Sequence, residues 1–478
     1  MPLHASLDRA AARFGDRVAI RSGDASYSFN DLVAGRDAFA ASLSGVGPGD
    51  RVALQMTNRV EFVFAVNAIS SLGAASVLMS PAWKDREVDH ALALTQPKLL
   101  ITDGSVRDLV VKGDRITHRT GDEAILVFSS GTTGMPKAVR HTHASLAAGT
   151  THWIAALGLT EHDRFQVATP PSHILGLLNL LAATEAGACV RLHARFDLDE
   201  VLSRIESDRI TLEMAVAPIA LAMANHPDLE RYDLSSLRYI MWGATPVTAS
   251  VAETVTKRTG VGFLAAYGAS EFPVLACNPV DRPQEWRLDS AGVSPKGVEL
   301  RVVDLDTGAV LEPGGVGEIQ ARGASMMTGY LPEAANAEAF DGEWYRTGDV
   351  GFIEAGGWVH LTDRSKEMIK VNGFQVAPAE IEAVLHGHPD VRDCAVFGIT
   401  DPRTGEAPVA AVQLIDDAVV TADALVELVS EALATYKQLR HVVVVDAIPR
   451  LPSGKVLRRT LRDEWAPKLT ASTETGTE

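Results

Sequence analysis

The sequence predicts an α/β protein with a large N-terminal domain and a smaller α+β domain toward its C-terminal end. Three observations predict it. Short apolar runs alternate with longer helical patterns through the first two thirds of the chain. The helical patterns vanish between about residues 297 and 354. A new order of helices and strands begins after Asp363. Alternation of the first kind suits a parallel sheet, because crossover helices cover both of its faces.

In chain order, β-rich apolar runs place strands at 51–55, 98–102, 124–128 and 237–241, with helices at 60–72 and 198–207. From 297 to 354 Gly and Pro become frequent and short strands dominate, as at 300–303 and 316–321, which predicts a small β-rich, barrel-like subdomain. Beyond it come a helix at 378–386, strands at 394–399 and 409–414, a helix at 422–436 and a strand at 441–445. These make a compact unit of roughly 100 residues, an ordinary domain size. The expected division is 1–362, then 363–467, then a Thr/Glu-rich tail at 468–478 with too little apolar content to order.

The chain has 478 residues, 46% hydrophobic and 22% charged, with a net charge of −17. That charge disfavours general attraction to nucleic acid or an anionic membrane. An anionic ligand therefore needs a local site of backbone N–H groups, Lys and Arg. Cys189, Cys277 and Cys394 lie far apart with no CxxC or Cys/His cluster, so neither a disulfide framework nor a structural zinc site is expected. Residues 1–14 lack the apolar core of a signal peptide, and no stretch approaches the ~20 apolar residues of a membrane span. The expected location is cytoplasmic.

The strongest chemical signal follows the strand 124–128. It reads Ser129-Ser130-Gly131-Thr132-Thr133-Gly134-Met135-Pro136-Lys137. Two glycines let backbone N–H groups turn toward an anion, four hydroxyls can bond phosphate oxygens, and Lys137 adds a point charge. The order is not GxxxxGK[ST], so the kinase and GTPase type of phosphate loop is excluded. The string resembles the phosphate loop of the adenylate-forming superfamily: acyl- and aryl-CoA synthetases, peptide-synthetase adenylation domains and luciferases. Further segments resemble that family's motifs in the family's order.

Gly243-Ala244-Thr245-Pro246 resembles its adenine wall. Tyr267-Gly268-Ala269-Ser270-Glu271 resembles its aromatic-Gly-x-Thr-Glu motif, with Ser keeping the hydroxyl of Thr. The resemblance implies that Tyr267 stacks on adenine, Ser270 touches the α-phosphate and Glu271 holds Mg²⁺. Asp349, in Tyr345-Arg346-Thr347-Gly348-Asp349, would take the ribose hydroxyls, and Arg364 would reach the same ribose. Asp363 would be the hinge on which a mobile C-terminal domain turns. Lys370 and Gly373 would line the CoA tunnel, and Lys455 in Pro452-Ser453-Gly454-Lys455 would be the catalytic lysine of adenylation. Singly these strings are weak, since a lone Thr-Gly-Asp is usually a turn. Together they span Ser129 to Lys455. The fold implied is two stacked α/β subdomains and a barrel-like subdomain before the mobile domain.

Pro170-Pro171-Ser172-His173-Ile174 resembles one wall of the family's acyl pocket, with His173 as gate. Peptide-synthetase relatives carry an Asp where Ile174 stands, so an unpaired substrate ammonium would be costly here and an amino acid is disfavoured. Trp242 either walls the pocket or packs in the core. The function implied is AMP-forming acid–CoA ligation of a hydrophobic aryl, fatty or polycyclic acid, with Mg²⁺ as cofactor. The expected partners are a small carboxylic acid, ATP and CoA or a carrier-protein thiol, a homodimer being left open. The alternatives are an adenylating enzyme that loads a carrier protein or stops at acyl-AMP, a luciferase-like oxygenase, or a non-catalytic nucleotide binder.

Overall fold

The computed structural model describes residues 2–108, 122–129, 136–243, 249–364, 367–371, 374–401, 403–450 and 456–474. Two α/β sheets carry the N-terminal region. In one, the apolar strands Leu99–Thr102, Arg51–Gln55, Ala75–Leu78 and Glu123–Ser129 run parallel. Lys137–Thr142 and Gly329–Leu331 extend it antiparallel at one edge. In the other, Phe263–Tyr267, Tyr239–Trp242, Leu212–Ala215, Arg164–Val167, Cys189–Leu192 and Val18–Ser22 are parallel neighbours. The helix Val60–Ser71 is buried on most sides and packs into the main apolar core.

A buried ion cluster pins the strand Glu123–Ser129. Arg51 forks onto Glu123, with Nε at 2.7 Å and Nη2 at 2.9 Å, and Arg140 Nε reaches the same carboxylate at 2.8 Å. Burial alone would push the Glu123 carboxyl up, but the two guanidinium groups hold it below its ordinary pKa. The cluster ties the strands of Arg51, Glu123 and Arg140 together, reaching across Ala75–Leu78, at the end of Glu123–Ser129 opposite Ser129.

The Gly- and Pro-rich stretch forms an antiparallel sheet of Val298–Val303, Gly317–Gly323, Trp344–Ile353 and Phe340–Asp341. It runs further than 354, because Val359–Arg364 pairs with the free edge of Trp344–Ile353. The last sheet, Phe374–Val376, Ile369–Val371, Gly405–Leu414, Val391–Asp401 and His441–Val444, carries the helices Pro378–His386 and Ala422–Ala432. Its two apolar clusters draw only on residues from Ile369 onward, whereas the main core ends at Leu361.

Two expectations need correction. The helix expected at 422–436 ends at Ala432, and Leu433 is extended. The chain turns there so that Tyr436 can stack on Phe374, ring centroids 4.6 Å apart. The tail expected to be disordered from 468 is helical through Glu474, within Arg458–Glu474. Leu461 is buried and Trp465 and Leu469 pack beside it, so the helix is already nucleated when it reaches the polar residues. Among the described residues no helix is long and apolar enough to cross a membrane.

Candidate active site

The two ends of the segment Ser129–Lys137 are paired. Ser129 and Lys137 are cross-strand partners in an antiparallel hairpin. Ser130, Gly131, Thr132, Thr133 and Gly134 lie outside the described residues, as do Ala244, Thr245, Gly373 and Lys455 and the side chains of Asp363 and Arg364. Lys137 places its ammonium 5.2 Å from the ring centroid of Tyr330.

The strand Phe263–Tyr267 delivers the next group. Gly268 follows it because a Cβ there would lie 2.0 Å from the carbonyl oxygen of Pro273. The tight loop is closed by Ala269 and Phe272, whose N–H groups donate to each other's carbonyls at 2.9 and 3.2 Å. At its tip the Ser270 carbonyl accepts from His141 Nε2–H at 2.8 Å. His141 is fully buried, which pushes its pKa down to about 4, so the ring is neutral and its other nitrogen accepts from Ser145 Oγ at 3.1 Å.

Glu271 comes out of this loop half-clamped. Its carbonyl accepts from Met327 N–H at 2.8 Å, and its Oε1 accepts from the Tyr330 hydroxyl at 2.8 Å. It is 7% exposed, and no Lys or Arg pairs with it among the described residues. A buried carboxylate without a cation partner is costly unless a cation arrives with the ligand. Glu271 is a lone carboxylate, since no group of three or more His, Cys, Asp or Glu able to hold a metal ion is found among the described residues. That donor set fits Mg²⁺, which is commonly held by one or two carboxylates with phosphates and waters completing the shell.

Tyr267 and Asp349 meet directly, the phenol donating to Asp349 Oδ2 at 2.6 Å inside the protein. Asp349 N–H is held by Thr347 Oγ1 at 3.0 Å, and Thr347 is anchored on the Ile319 carbonyl. The register of the β-rich sheet sets Asp349 opposite Arg364, and Val350 opposite Asp363. Two residues named for one ribose are thus cross-strand partners. Burial, and then the Glu271 charge, raise the Tyr345 phenol well above its ordinary pKa.

His173 caps the helix Ile174–Ala186. Its N–H donates to the Pro170 carbonyl at 3.0 Å, and the Pro-Pro turn can close because a Cβ on Gly176 would lie 2.5 Å from that oxygen. Burial lowers the His173 pKa, so the ring is neutral at neutral pH. Ile174 packs on the main core. Gly243 follows the strand Tyr239–Trp242, and a Cβ there would lie 3.3 Å from Met241 Sδ. Trp242 is 1% exposed and edge-on to Phe263, 5.6 Å between centroids, in the cluster that joins Ile240 to the covering helices. Those contacts are the packing alternative. A cavity of 290 Å³ lies beyond it, between Leu221, Val251 and Trp242 on one side and His386, Asp393 and Arg450 on the other. Lys370 is exposed on Ile369–Val371, its N–H donating to Glu406 Oε2 at 2.7 Å.

The structure therefore brings Lys137, Glu271, Tyr267 and Asp349 into one neighbourhood, linked through Tyr330 and Tyr345. Tyr330 and His141 were not found from the sequence. Neither sits in a Gly-rich or charged string, and only strand pairing brings Tyr330 beside Lys137.

Comparison with known proteins bears on this arrangement. Residues 7–122 and 114–331 match the family described as AMP-binding enzyme, and 380–455 match the AMP-binding enzyme C-terminal domain. The chain is 32% identical to 4-coumarate–CoA ligase 1 of Solanum tuberosum, covering 98% of this chain and 94% of that one. It superposes on the anthranilate CoA ligase AuaEII in complex with anthranoyl-AMP with a TM-score of 0.88, at 26% identity over 99% and 98% of the two chains. It superposes on the amide bond synthetase McbA from Marinactinospora thermotolerans with a TM-score of 0.87, at 29% identity over 97% and 100%.

Proposed function

The chain belongs to the AMP-binding enzyme family, and from that premise we propose that it is an AMP-forming ligase joining an aromatic carboxylic acid to coenzyme A. The observation that carries the adenylating half is the meeting of Tyr267, Asp349, Glu271 and Lys137 around one site. The aromatic acid rests on the ligases of 4-coumarate and anthranilate among its relatives and on a gate, His173–Ile174, with no charge to pair an ammonium.

A carboxylate is a poor acyl donor, because its leaving group would be oxide. In the first step its oxygen attacks the α-phosphorus of ATP in line and pyrophosphate leaves. Adenine lies along Tyr267, and the ribose hydroxyls donate to Asp349, whose Oδ2 is already oriented by the Tyr267 hydroxyl. Arg364 supports the same ribose from the facing strand. Ser129, residues 130–134 and Lys137 take the phosphates. Glu271 would hold Mg²⁺, which would neutralise the charge that two anionic reactants bring together. Lys455 adds an ammonium between the carboxylate and the α-phosphate. In the second step a thiol attacks the acyl carbonyl and AMP leaves.

The domain boundary of this proposal is Asp363, between a core that ends at Leu361 and clusters that begin at Ile369. Rotation there would withdraw Lys455 and bring Lys370 and Gly373 to the site, so that one active site serves both steps. A second reading, transfer of the acyl group from the adenylate to an amine, has one observation behind it: the likeness to an amide bond synthetase.

The test is a panel of aryl, fatty and α-amino acids scored for pyrophosphate release with and without CoA. The expected outcome is release with aryl acids, and AMP and acyl-CoA formed when CoA is added. An α-amino acid as best substrate would overturn the pocket reading. Adenylate that persists with CoA but is consumed by amines would favour the second reading.

A further inference from the structure

Tyr330 belongs to none of the segments that first pointed to adenylation, and its placement is over-determined. It sits on the strand Gly329–Leu331, which joins the phosphate-loop strand Lys137–Thr142 across more than 180 residues of sequence, with Tyr330 opposite Val139. Its backbone is held from both sides by one side chain. Its N–H donates to Asn336 Oδ1 at 2.7 Å, and Asn336 Nδ2 donates to its carbonyl at 3.3 Å. Gly329 makes this approach possible: its φ is +140°, and a Cβ there would lie 2.9 Å from Asn336 Oδ1.

From this fixed backbone the side chain reaches two groups of the site. The hydroxyl donates to Glu271 Oε1 at 2.8 Å, and both residues are buried. The ring face lies under the Lys137 ammonium, 5.2 Å from centroid to Nζ. Met327, on the same segment, holds the Glu271 carbonyl. A carboxylate that must present one face to a cation gains from a donor that fixes its plane, since outer partners orient the groups that bind the metal. The same ring limits where Lys137 can rest.

We propose that Tyr330 is a positioning residue for the cation–triphosphate unit, aiming the Glu271 carboxylate through its hydroxyl and the Lys137 ammonium through its ring. This rests on the reading that Glu271 holds Mg²⁺ and Lys137 meets phosphate.

The test is calorimetric binding of ATP, with EDTA and with Mg²⁺, to the wild type and to Tyr330→Phe, Tyr330→Leu and Glu271→Gln, with melting curves for each. The wild type binds ATP more tightly with Mg²⁺. Tyr330→Phe keeps the ring and loses about tenfold of that Mg²⁺-dependent gain, while its affinity in EDTA is unchanged. Tyr330→Leu also weakens binding in EDTA, because Lys137 loses its support. Adding Tyr330→Phe to Glu271→Gln costs nothing further. A Tyr330→Phe variant with the full Mg²⁺ gain, beside a Glu271→Gln variant without it, overturns the proposal for Tyr330. A Glu271→Gln variant that keeps the full gain overturns the Glu271 reading instead.

Discussion

Glu213 lies on the strand Leu212–Ala215 with its carboxyl wholly inside the protein, and burial pushes its pKa up to about 8. Its Oε2 accepts from Gln166 Nε2 at 2.8 Å, and Gln166 Oε1 accepts from His193 Nε2–H at 2.6 Å. Among the described residues no Lys or Arg pairs with it, and the neutral acid is the folded form at neutral pH. Between the ordinary carboxylate pKa near 4.5 and about 8, the unfolded chain has lost this proton while the native state keeps it. Stability from this group is therefore complete below pH 4.5 and falls as pH rises toward 8, by at most about 1.4 kcal/mol per pH unit. Glu213→Gln should keep the hydrogen bond and remove that slope. Melting curves of both proteins from pH 5 to pH 8 should show the variant gaining on the wild type as pH rises; parallel curves would mean that Glu213 is ionised when folded. His141 acts with the opposite sign. Its pKa, pushed down to about 4, leaves its stabilisation present above 6.5 and lost as pH falls through 4.

At the scale of elements, the loop after Phe263–Tyr267 shows how backbone geometry decides chemistry. Ser270 and Glu271 are aimed by a turn in which Gly268 touches the Pro273 carbonyl. Gly268→Ala puts a methyl group 2.0 Å from that oxygen, so the turn must shift. A strained insertion of this kind costs about 1–3 kcal/mol. The larger effect should be on pyrophosphate exchange, expected to fall at least tenfold (roughly 1.4 kcal/mol) while the melting curve stays cooperative. Unchanged exchange would mean that Glu271 and Ser270 tolerate movement of the turn. The hairpin Glu123–Ser129 and Lys137–Thr142 follows the same logic, since the buried Arg51–Glu123–Arg140 cluster fixes the end of the hairpin opposite the Ser129–Lys137 pair.

At the scale of the molecule, the question is whether one site serves two reactions by rotation about Asp363. Lys455→Ala should lower adenylation by about 10²–10³, the usual cost of one transition-state donor, and spare thioester formation from preformed acyl-adenylate. Lys370→Ala should spare pyrophosphate exchange and slow the second step. Both half-reactions measured on both variants decide it, and equal loss of both steps in both variants would sink the rotation. A variant that fails only with CoA, and not with other thiols, would place its residue on the CoA path and not on the acyl carbonyl.

Much of this was legible in the residues themselves. A parallel strand buried on both faces has to be apolar, so the runs around 51–55 and 124–128 announced their sheet. A loop that cradles phosphate needs glycines, hydroxyls and a lysine close together, so Ser129 to Lys137 could be read locally. Contacts made by distant strands could not. Tyr330 meets Glu271 and Lys137 only because Gly329–Leu331 pairs with Lys137–Thr142. Arg364 faces Asp349 only through the ladder of Trp344–Ile353. Trp242 packs with Ile240 toward the covering helices through strand pleating, and also borders a cavity, a placement its own sequence does not name. The sequence by itself determined which chemical groups the protein owns and which short segments present them together. Only the tertiary structure decided which groups support one another across the sheets, because side-chain direction and strand register depend on partners the local sequence does not name.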